Sequence, residues 1–471
     1  MPVSASFRPS TAHAALGADF FDPVAPARFP EHMLRWRGQR HAATIGLGEL
    51  TDAEWIDHFG RFQPLPGSLP EPLALRYHGH QFQSYNPQLG DGRGFLYAQC
   101  FDGDGRLLDL GTKGSGTTPW SRGGDGRLTL KGGVREILAS EMLEALGVDT
   151  SKSLSLIETG EALSRQDEPS PTRASVLVRL SHSHIRIGSF QRLLYLRDDE
   201  GMARLVDHAI RHYYPDAWRD NQAARVVAFL DAVTERVAAT GAAWTAAGFV
   251  HGVLNTDNIN ITGESFDYGP WRFLPVLDPT FTAAYFDQTG LYAFGRQPTT
   301  LLWNLARLAE CLLFAAEAPA LEAVLSGFQS RFQRLYAAAI RRRLGLAPAH
   351  EAEEMALSDA LFRFLAETKA PFEQTLFDWR GGLARLDKAF DGPNGAYYRA
   401  DAFAPLEAVL QRFVPAADAR LNNPYFQRER PETLLIDEVE ALWAPIAEDD
   451  DWSAFHAKIA GIDAARAAYQ G

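Results

Sequence analysis

The chain has 471 residues, 46% hydrophobic and 22% charged, ordinary for a folded protein and enough to bury a large core in two or more cooperating lobes. A formal net charge of -13 sets the surface as a whole against nucleic-acid backbones and anionic membranes, so neither is expected as a partner. There is no run of about eighteen apolar residues and no basic-then-apolar leader, which argues against a membrane span and for a cytoplasmic protein, and Cys100 and Cys311 read as buried hydrophobes in a reducing compartment.

Residues 1–70, rich in Pro and Phe, read as an extended segment that wraps the rest of the fold, with one short helix from Asp52 to Phe62. From Leu73 to Lys113 short apolar segments are divided by Gly-Asp-Gly turns. There, Gly94 to Phe101, Gly103-Asp104-Gly105 and Leu107 to Thr112 predict a β-hairpin. The spacing of Val134, Ile137, Leu138, Met142, Ala145 and Leu146 predicts a helix from Gly133 to Leu146, stopped by Gly147. Leu154 to Glu158 and Ala174 to Leu180 are strand-like, and from Ala203 onward Ala and Leu recur at helical period. The expected class is α+β, with a sheet-bearing N-lobe over 71–200 and a mainly helical C-lobe over 201–471.

The stretch His251-Gly252-Val253-Leu254-Asn255-Thr256-Asp257-Asn258-Ile259, followed by Phe266-Asp267-Tyr268-Gly269-Pro270, carries the clearest chemistry. It follows an amphipathic helix bearing Val226, Val227, Leu230, Val233 and Val237. An Asp-Asn turn, a short apolar strand and an Asp at a second turn is the order in which kinase-like bilobal enzymes hold magnesium, because hard Asn and Asp oxygens suit an ion that bridges phosphates. Asn258 and Asp267 are therefore the candidate metal ligands. Either motif alone is an ordinary turn former; their order makes the pair specific. Counting back from Asn258 by the spacing H-R-D-x-x-x-x-N reaches Val253, which accepts no proton. The carboxylate stands at Asp257, where it either polarises an acceptor hydroxyl or faces the metal.

Lys113, ending a strand-like segment, and Glu136, opening the helix near Gly133, form the expected phosphate-positioning ion pair. Taken alone, a surface Lys and a first-turn Glu are commonplace. Gly90-Asp91-Gly92-Arg93 offers uncovered backbone amides and a guanidinium to phosphate oxygens. The same tetrad recurs at Gly103, as a hairpin turn, and at Gly124, where Asp125 and Gly126 lie in a glycine-rich connection after Lys113. Arg179 and Arg186 stand in apolar surroundings and each needs an anion, either a bound phosphate or a carboxylate of this chain. His78, His80, His182, His184 and His251 lack a Cys or Glu set at zinc spacing and read as hydrogen-bonded structural residues.

On these strings the sequence resembles the selenoprotein O family, whose members are kinase-fold protein AMP transferases. Further matches are His80-Gln81-Phe82, Asn86-Pro87-Gln88-Leu89, Lys113-Gly114-Ser115-Gly116, Arg135-Glu136, Trp303-Asn304-Leu305 and Asn423-Pro424-Tyr425-Phe426. The resemblance implies an ATP flipped relative to ordinary kinases, so that AMP passes to a Ser, Thr or Tyr hydroxyl of a protein substrate and pyrophosphate leaves. It further implies that Lys113, Arg179 and Arg186 hold the terminal phosphates, and that Gly90, Gly92, Arg93, Asp125 and Gly126 complete the nucleotide site. Asp257 would be the base, with Asn258 and Asp267 on Mg2+, Mn2+ being the alternative ion. Two departures stand out: Lys131-Gly132-Gly133 replaces an Arg-Ser pair and a small polar residue, and the last residues, Ala467 to Gly471, lack the Cys or selenocysteine of some relatives, so a redox switch like theirs is not expected. A hydroxyl kinase of unusual loop chemistry and a catalytically silent nucleotide-binding module remain as alternatives.

Overall fold

The computed structural model describes residues 3–166 and 168–470. Strands β1 (Arg8–Ser10), β2 (Phe21–Pro23), β3 (Met33–Arg37) and β4 (Leu73–Leu75) precede a separate hairpin of β5 (Gly79–Gln81) and β6 (Ser84–Asn86). Then come β7 (Leu96–Phe101), β8 (Leu107–Lys113), β9 (Leu128–Thr129), β10 (Lys152–Leu163) and β11 (Thr172–Ser181). Apart from the hairpin, they form one nine-stranded antiparallel sheet in the order β2-β4-β7-β8-β11-β10-β3, with β1 joining β7 and β9 joining β11. The predicted hairpin is β7–β8; Asp102 closes its turn by accepting from the Asp104 and Arg106 amides. The N-terminal segment does more than wrap the fold, because three of its short strands are built into this sheet.

Alternation along β11 explains how the sheet is covered on both sides. Val176, Val178 and Leu180 face a core with Trp55 and Phe59 of α2 (Asp52–Phe59), which follows the short α1 (Gln39–Thr44). Leu177 faces the opposite core, shared with α3 (Leu130–Ala145) and the helices beyond it. Helix α3 starts three residues before the predicted Gly133. Thr129 caps it by accepting from the Gly132 amide at 3.1 Å, and the cap outweighs the two glycines inside the first turn. Gly133 is needed there because a Cβ would overlap the side chain of Leu156 in β10. Glu136 accordingly lies in the second turn instead of opening the helix, and it is buried.

From residue 187 the chain is mostly helical: α4 (Ile187–Leu196), α5 (Asp199–Tyr213), α6 (Gln222–Ala246), α7 (Gln297–Cys311) and further helices to a C-terminal one at Ser453–Gln470. The exception is a pair of short antiparallel strands, β12 (Phe249–His251) and β13 (Trp271–Phe273). The class is thus α+β, an antiparallel sheet packed with many helices. Among the described residues no helix is long and apolar enough to cross a membrane, and both cysteines are buried and unpaired.

Candidate active site

Cross-strand register brings two cations to one face of the sheet. Lys113 pairs with Leu177 and Gly111 with Arg179, so the Lys113 and Arg179 side chains share the face covered by α3. Lys113 Nζ donates to Glu136 of α3 and, at 2.7 Å, to Asp267 Oδ1; Arg179 Nη1 donates to the same oxygen at 3.2 Å. The predicted Lys113–Glu136 pair is therefore present, and both side chains are buried.

Strands β12 and β13 close the base of the loop that carries Asp257 and Asp267. Gly252 donates its amide to the Pro270 carbonyl at 2.8 Å. His251 ties the two ends together: its Nε2 donates to the Phe266 carbonyl at 3.1 Å while Nδ1 accepts from the Val253 amide at 3.3 Å. Burial pushes the His251 pKa down, in keeping with this neutral tautomer. The hairpin β5–β6 supports the loop from outside. Thr256 Oγ1 accepts from the His80 amide and donates to Gln191, and Asn255 Oδ1 accepts from the Phe82 amide and from Tyr292 Oη. Asn304 holds the Leu254 carbonyl at 2.9 Å.

Within this frame Asp257 is buried, and its Oδ1 has no hydrogen-bond partner. Burial pushes its pKa up to about 6; Arg186 and Arg122 oppose the rise and Asp267 adds to it. Asn258 Nδ2 donates to the Val253 carbonyl at 2.9 Å, which fixes the amide and leaves Oδ1 as its free atom. Asp267 has φ of 64°, a left-handed conformation that Asp tolerates, and the turn is closed by the Gly269 amide on its carbonyl. Burial works against its charge, but Lys113, Arg179 and Arg93 hold its carboxyl well below the ordinary carboxylate range. Its bonds to Lys113 and Arg179 use Oδ1. Asn258 Oδ1 and the other Asp267 oxygen are hard donors of the kind a divalent cation takes, so these residues fit such an ion.

Arg186 enters from the start of α4, laced to the same loop by the Ile187 amide on Ile259 and the Ile261 amide on Ile185. It donates to Asp91 at 3.1 Å, to Tyr77 Oη at 3.0 Å and to the Asp257 carbonyl at 3.3 Å. Its guanidinium lies 4.3 Å from the Tyr77 ring centre, and Phe266 lies beneath both Arg186 and Arg179. In this structure each arginine has a carboxylate of the chain as its anion, Asp91 or Asp267. Sequence reasoning missed Tyr77, Phe266 and the Asp91 side chain. Only Asp91 left a signal, an acid inside a glycine pair.

The glycine-rich strings have packing reasons the sequence does not disclose. A Cβ on Gly90 would overlap the Trp120 indole and one on Gly92 would sit 2.8 Å from the Trp120 carbonyl oxygen, so this turn is backed by the loop after Lys113 instead of lying bare. Gly126 has φ of 68° and lies against Gly116. Asp125 is exposed and paired with Arg165 at 2.8 Å. Arg93, also exposed, lines a cavity of about 410 Å³ together with Lys113, Lys131, Arg135, Arg165 and Arg272, and its charge helps keep Asp267 ionised. Burial lowers the Arg135 pKa to about 10, and repulsion from Arg272 adds to the effect. A chain of net charge -13 has concentrated positive charge in one cleft, which suits a polyanionic ligand.

The family model described as Protein adenylyltransferase SelO matches residues 3–462. The chain belongs to the SelO family. It is 45% identical over 463 residues to the Protein nucleotidyltransferase YdiU of Synechocystis sp., covering 94% of this chain and 95% of that one. The protein of the same name from Gloeobacter violaceus is 45% identical over 458 residues, 94% and 92% of the two chains. That of Methylorubrum extorquens is 39% identical over 439 residues, 91% and 84%. Membership in the SelO family makes this chain an enzyme of the nucleotidyltransferase class, and the match runs through both the sheet and the Asp257–Asp267 loop.

Proposed function

We propose that the protein transfers AMP from ATP to Ser, Thr or Tyr hydroxyls of protein acceptors and releases pyrophosphate, in a protein-kinase-like bilobal site. The N-lobe spans 71–200, the helical C-lobe 201–471, and the first 70 residues pack on the fold. The observation that carries this reading is Asp257: a buried carboxylate with an unbonded oxygen and a pKa of about 6, beside the buried Arg186, while the buried Lys113 and Arg179 meet on Asp267, whose charge Asp257 also feels. A base poised near neutrality accepts the proton of the acceptor hydroxyl as its oxygen bonds to the α-phosphorus. The bond from that phosphorus to the bridging oxygen of the β-phosphate breaks, and Lys113, Arg179 and Arg186 stabilise the charge gathering on the departing pyrophosphate. Asn258 and Asp267 hold the divalent ion, Mg2+ or Mn2+, which when bound neutralises phosphate charge. Gly90, Gly92, Arg93, Asp125 and Gly126 border the nucleotide. Free buried thiols fit a cytoplasmic setting.

The test is transfer from ATP labelled in parallel at the α- or the γ-phosphate, with the purified protein, magnesium and a mixed protein extract. Label entering protein from the α position alone is the expected result. Label from γ alone would make the enzyme a kinase and overturn the proposal.

A further inference from the structure

Nine large hydrophobic side chains are markedly exposed among the described residues, and six of them gather along the hairpin β5–β6. Phe82 is at its tip, where Phe82 and Gln83 both have positive φ and turn the ring outward. Its ring centre lies 5.9 Å from that of Phe286, which is 5.1 Å from that of Tyr285, 83% exposed. On the other side Tyr85 stacks on Tyr195 at 5.7 Å, and exposed Leu194 and Leu196 flank that residue. A monomer has no packing reason to gather most of its exposed apolar side chains, drawn from a hairpin turn, the end of α4 and the 285–286 loop, around one hairpin; such patches mark contact surfaces.

The hairpin's place in the fold identifies what it contacts. It packs directly on the turn that holds Asp257: a Cβ on Gly79 would sit 3.3 Å from Asp257 Oδ1, and the Phe82 amide is bonded to Asn255. Tyr285 and Phe286 also border the cation-lined cavity. The apolar collar therefore borders both the cation-lined cavity and the turn of Asp257, whose unbonded oxygen an acceptor hydroxyl has to reach. We infer that this collar is the docking surface for the acceptor polypeptide. It takes an extended segment that carries an aromatic or large aliphatic residue beside the reacting hydroxyl. This inference rests on the transferase reading and names its substrate class.

The test uses the full-length protein with α-labelled ATP and two synthetic peptides of equal charge, each with one central Ser, flanked by Phe and Leu in one and by Ser and Gln in the other. The Phe-Leu peptide should have the higher kcat/KM. Phe82→Asn, which tolerates the positive φ, and Tyr285→Ser/Phe286→Ser should raise its KM about tenfold or more, as expected for losing an aromatic anchor. For Phe82→Asn, whose ring does not line the cation-lined cavity, the KM for ATP, the melting temperature and the weak labelling of the polar peptide should stay as they were. Equal use of the two peptides, or substitutions that leave the preference intact, would refute the docking surface while leaving the transferase reading standing. Label in no peptide and no protein would sink both. Concentration-dependent dimerisation abolished by Tyr285→Ser would show that the collar is covered by a second copy instead, and would overturn the inference.

Discussion

Replacing Asp257 by Asn keeps the volume of the side chain and removes both its charge and its capacity to accept a proton. Burial lifts this carboxyl from 3.8 to about 6, and at about 1.4 kcal/mol per pKa unit the ionised form costs the fold roughly 3 kcal/mol at neutral pH. The sign follows from the direction of the lift. A raised pKa means the folded state binds the proton more tightly, so its contribution is fully present below 3.8 and is lost as pH rises through about 6. In a chelating, nucleotide-free buffer at pH 7.5, Asp257→Asn should therefore be more stable than the parent by about 1–3 kcal/mol in urea denaturation, with about half of that advantage gone by pH 5. The same variant should lose about 100-fold or more of its transfer rate, the scale of a missing general base, and keep its affinity for ATP. A less stable variant at pH 7.5, or an advantage that does not shrink on acidification, would refute the assignment of a desolvated carboxylate. Undiminished transfer would refute its role as base.

Arg186→Met strands Asp91 in the interior and should cost roughly 3–5 kcal/mol in chemical denaturation, and Arg186→Met/Asp91→Asn should recover most of it. His13 and His208 are pushed by burial to about 4 and about 3. Their neutral forms belong to the fold, so stability should fall as pH drops from 6.5 toward 4, and His208→Gln should flatten the urea midpoint between pH 7.5 and 5.5. Arg466 of the C-terminal helix donates to the carboxylate and carbonyl of Glu141 and approaches Glu144 at 3.3 Å, both on the helix that carries Glu136. Arg466→Met should raise the KM for ATP severalfold at little change in kcat, and Arg466→Lys should restore part of it.

Much of this was legible in the sequence because local patterns and tertiary contacts agree. The Gly-Asp-Gly turn at 103 fixed the β7–β8 hairpin, and the order of Lys113, Glu136 and Asp267 anticipated three residues that the structure draws together through Lys113. What escaped depends on contacts distant in the chain. The start of α3 is set by the Thr129 cap and by close approach to Leu156, neither of which a hydrophobic period reveals. Gly90 and Gly92 have a packing reason as well, because Trp120, some thirty residues on, fills the space a Cβ would take. Tyr77 and Phe266 have no polar signature, yet they form the surfaces against which Arg186 is held.

The site is closely balanced in charge: Lys113, Arg179 and Arg186 face Glu136, Asp267 and Asp91. On the proposed reading a bound triphosphate draws Lys113 and Arg179 away from Asp267, and a divalent ion would then supply the counter-charge of Asp267. Asp267→Asn should therefore act in opposite directions under two conditions. Without metal, in chelator, the variant no longer occupies the two cations and no longer repels phosphate, and a charge pair near 4 Å in a protein environment is worth up to about 4 kcal/mol. Phosphates stand farther off than that, so metal-free ATP should bind about tenfold more tightly than to the parent, as measured by calorimetry. With magnesium the order should reverse, because the hard ligand is gone, and transfer should be lost. Asn is suited to the left-handed backbone at this position, so strain does not confound the comparison. If the substitution weakens binding in both conditions, Asp267 is chiefly a structural counter-ion to Lys113 and Arg179, and the exchange of partners between metal, phosphate and protein does not occur.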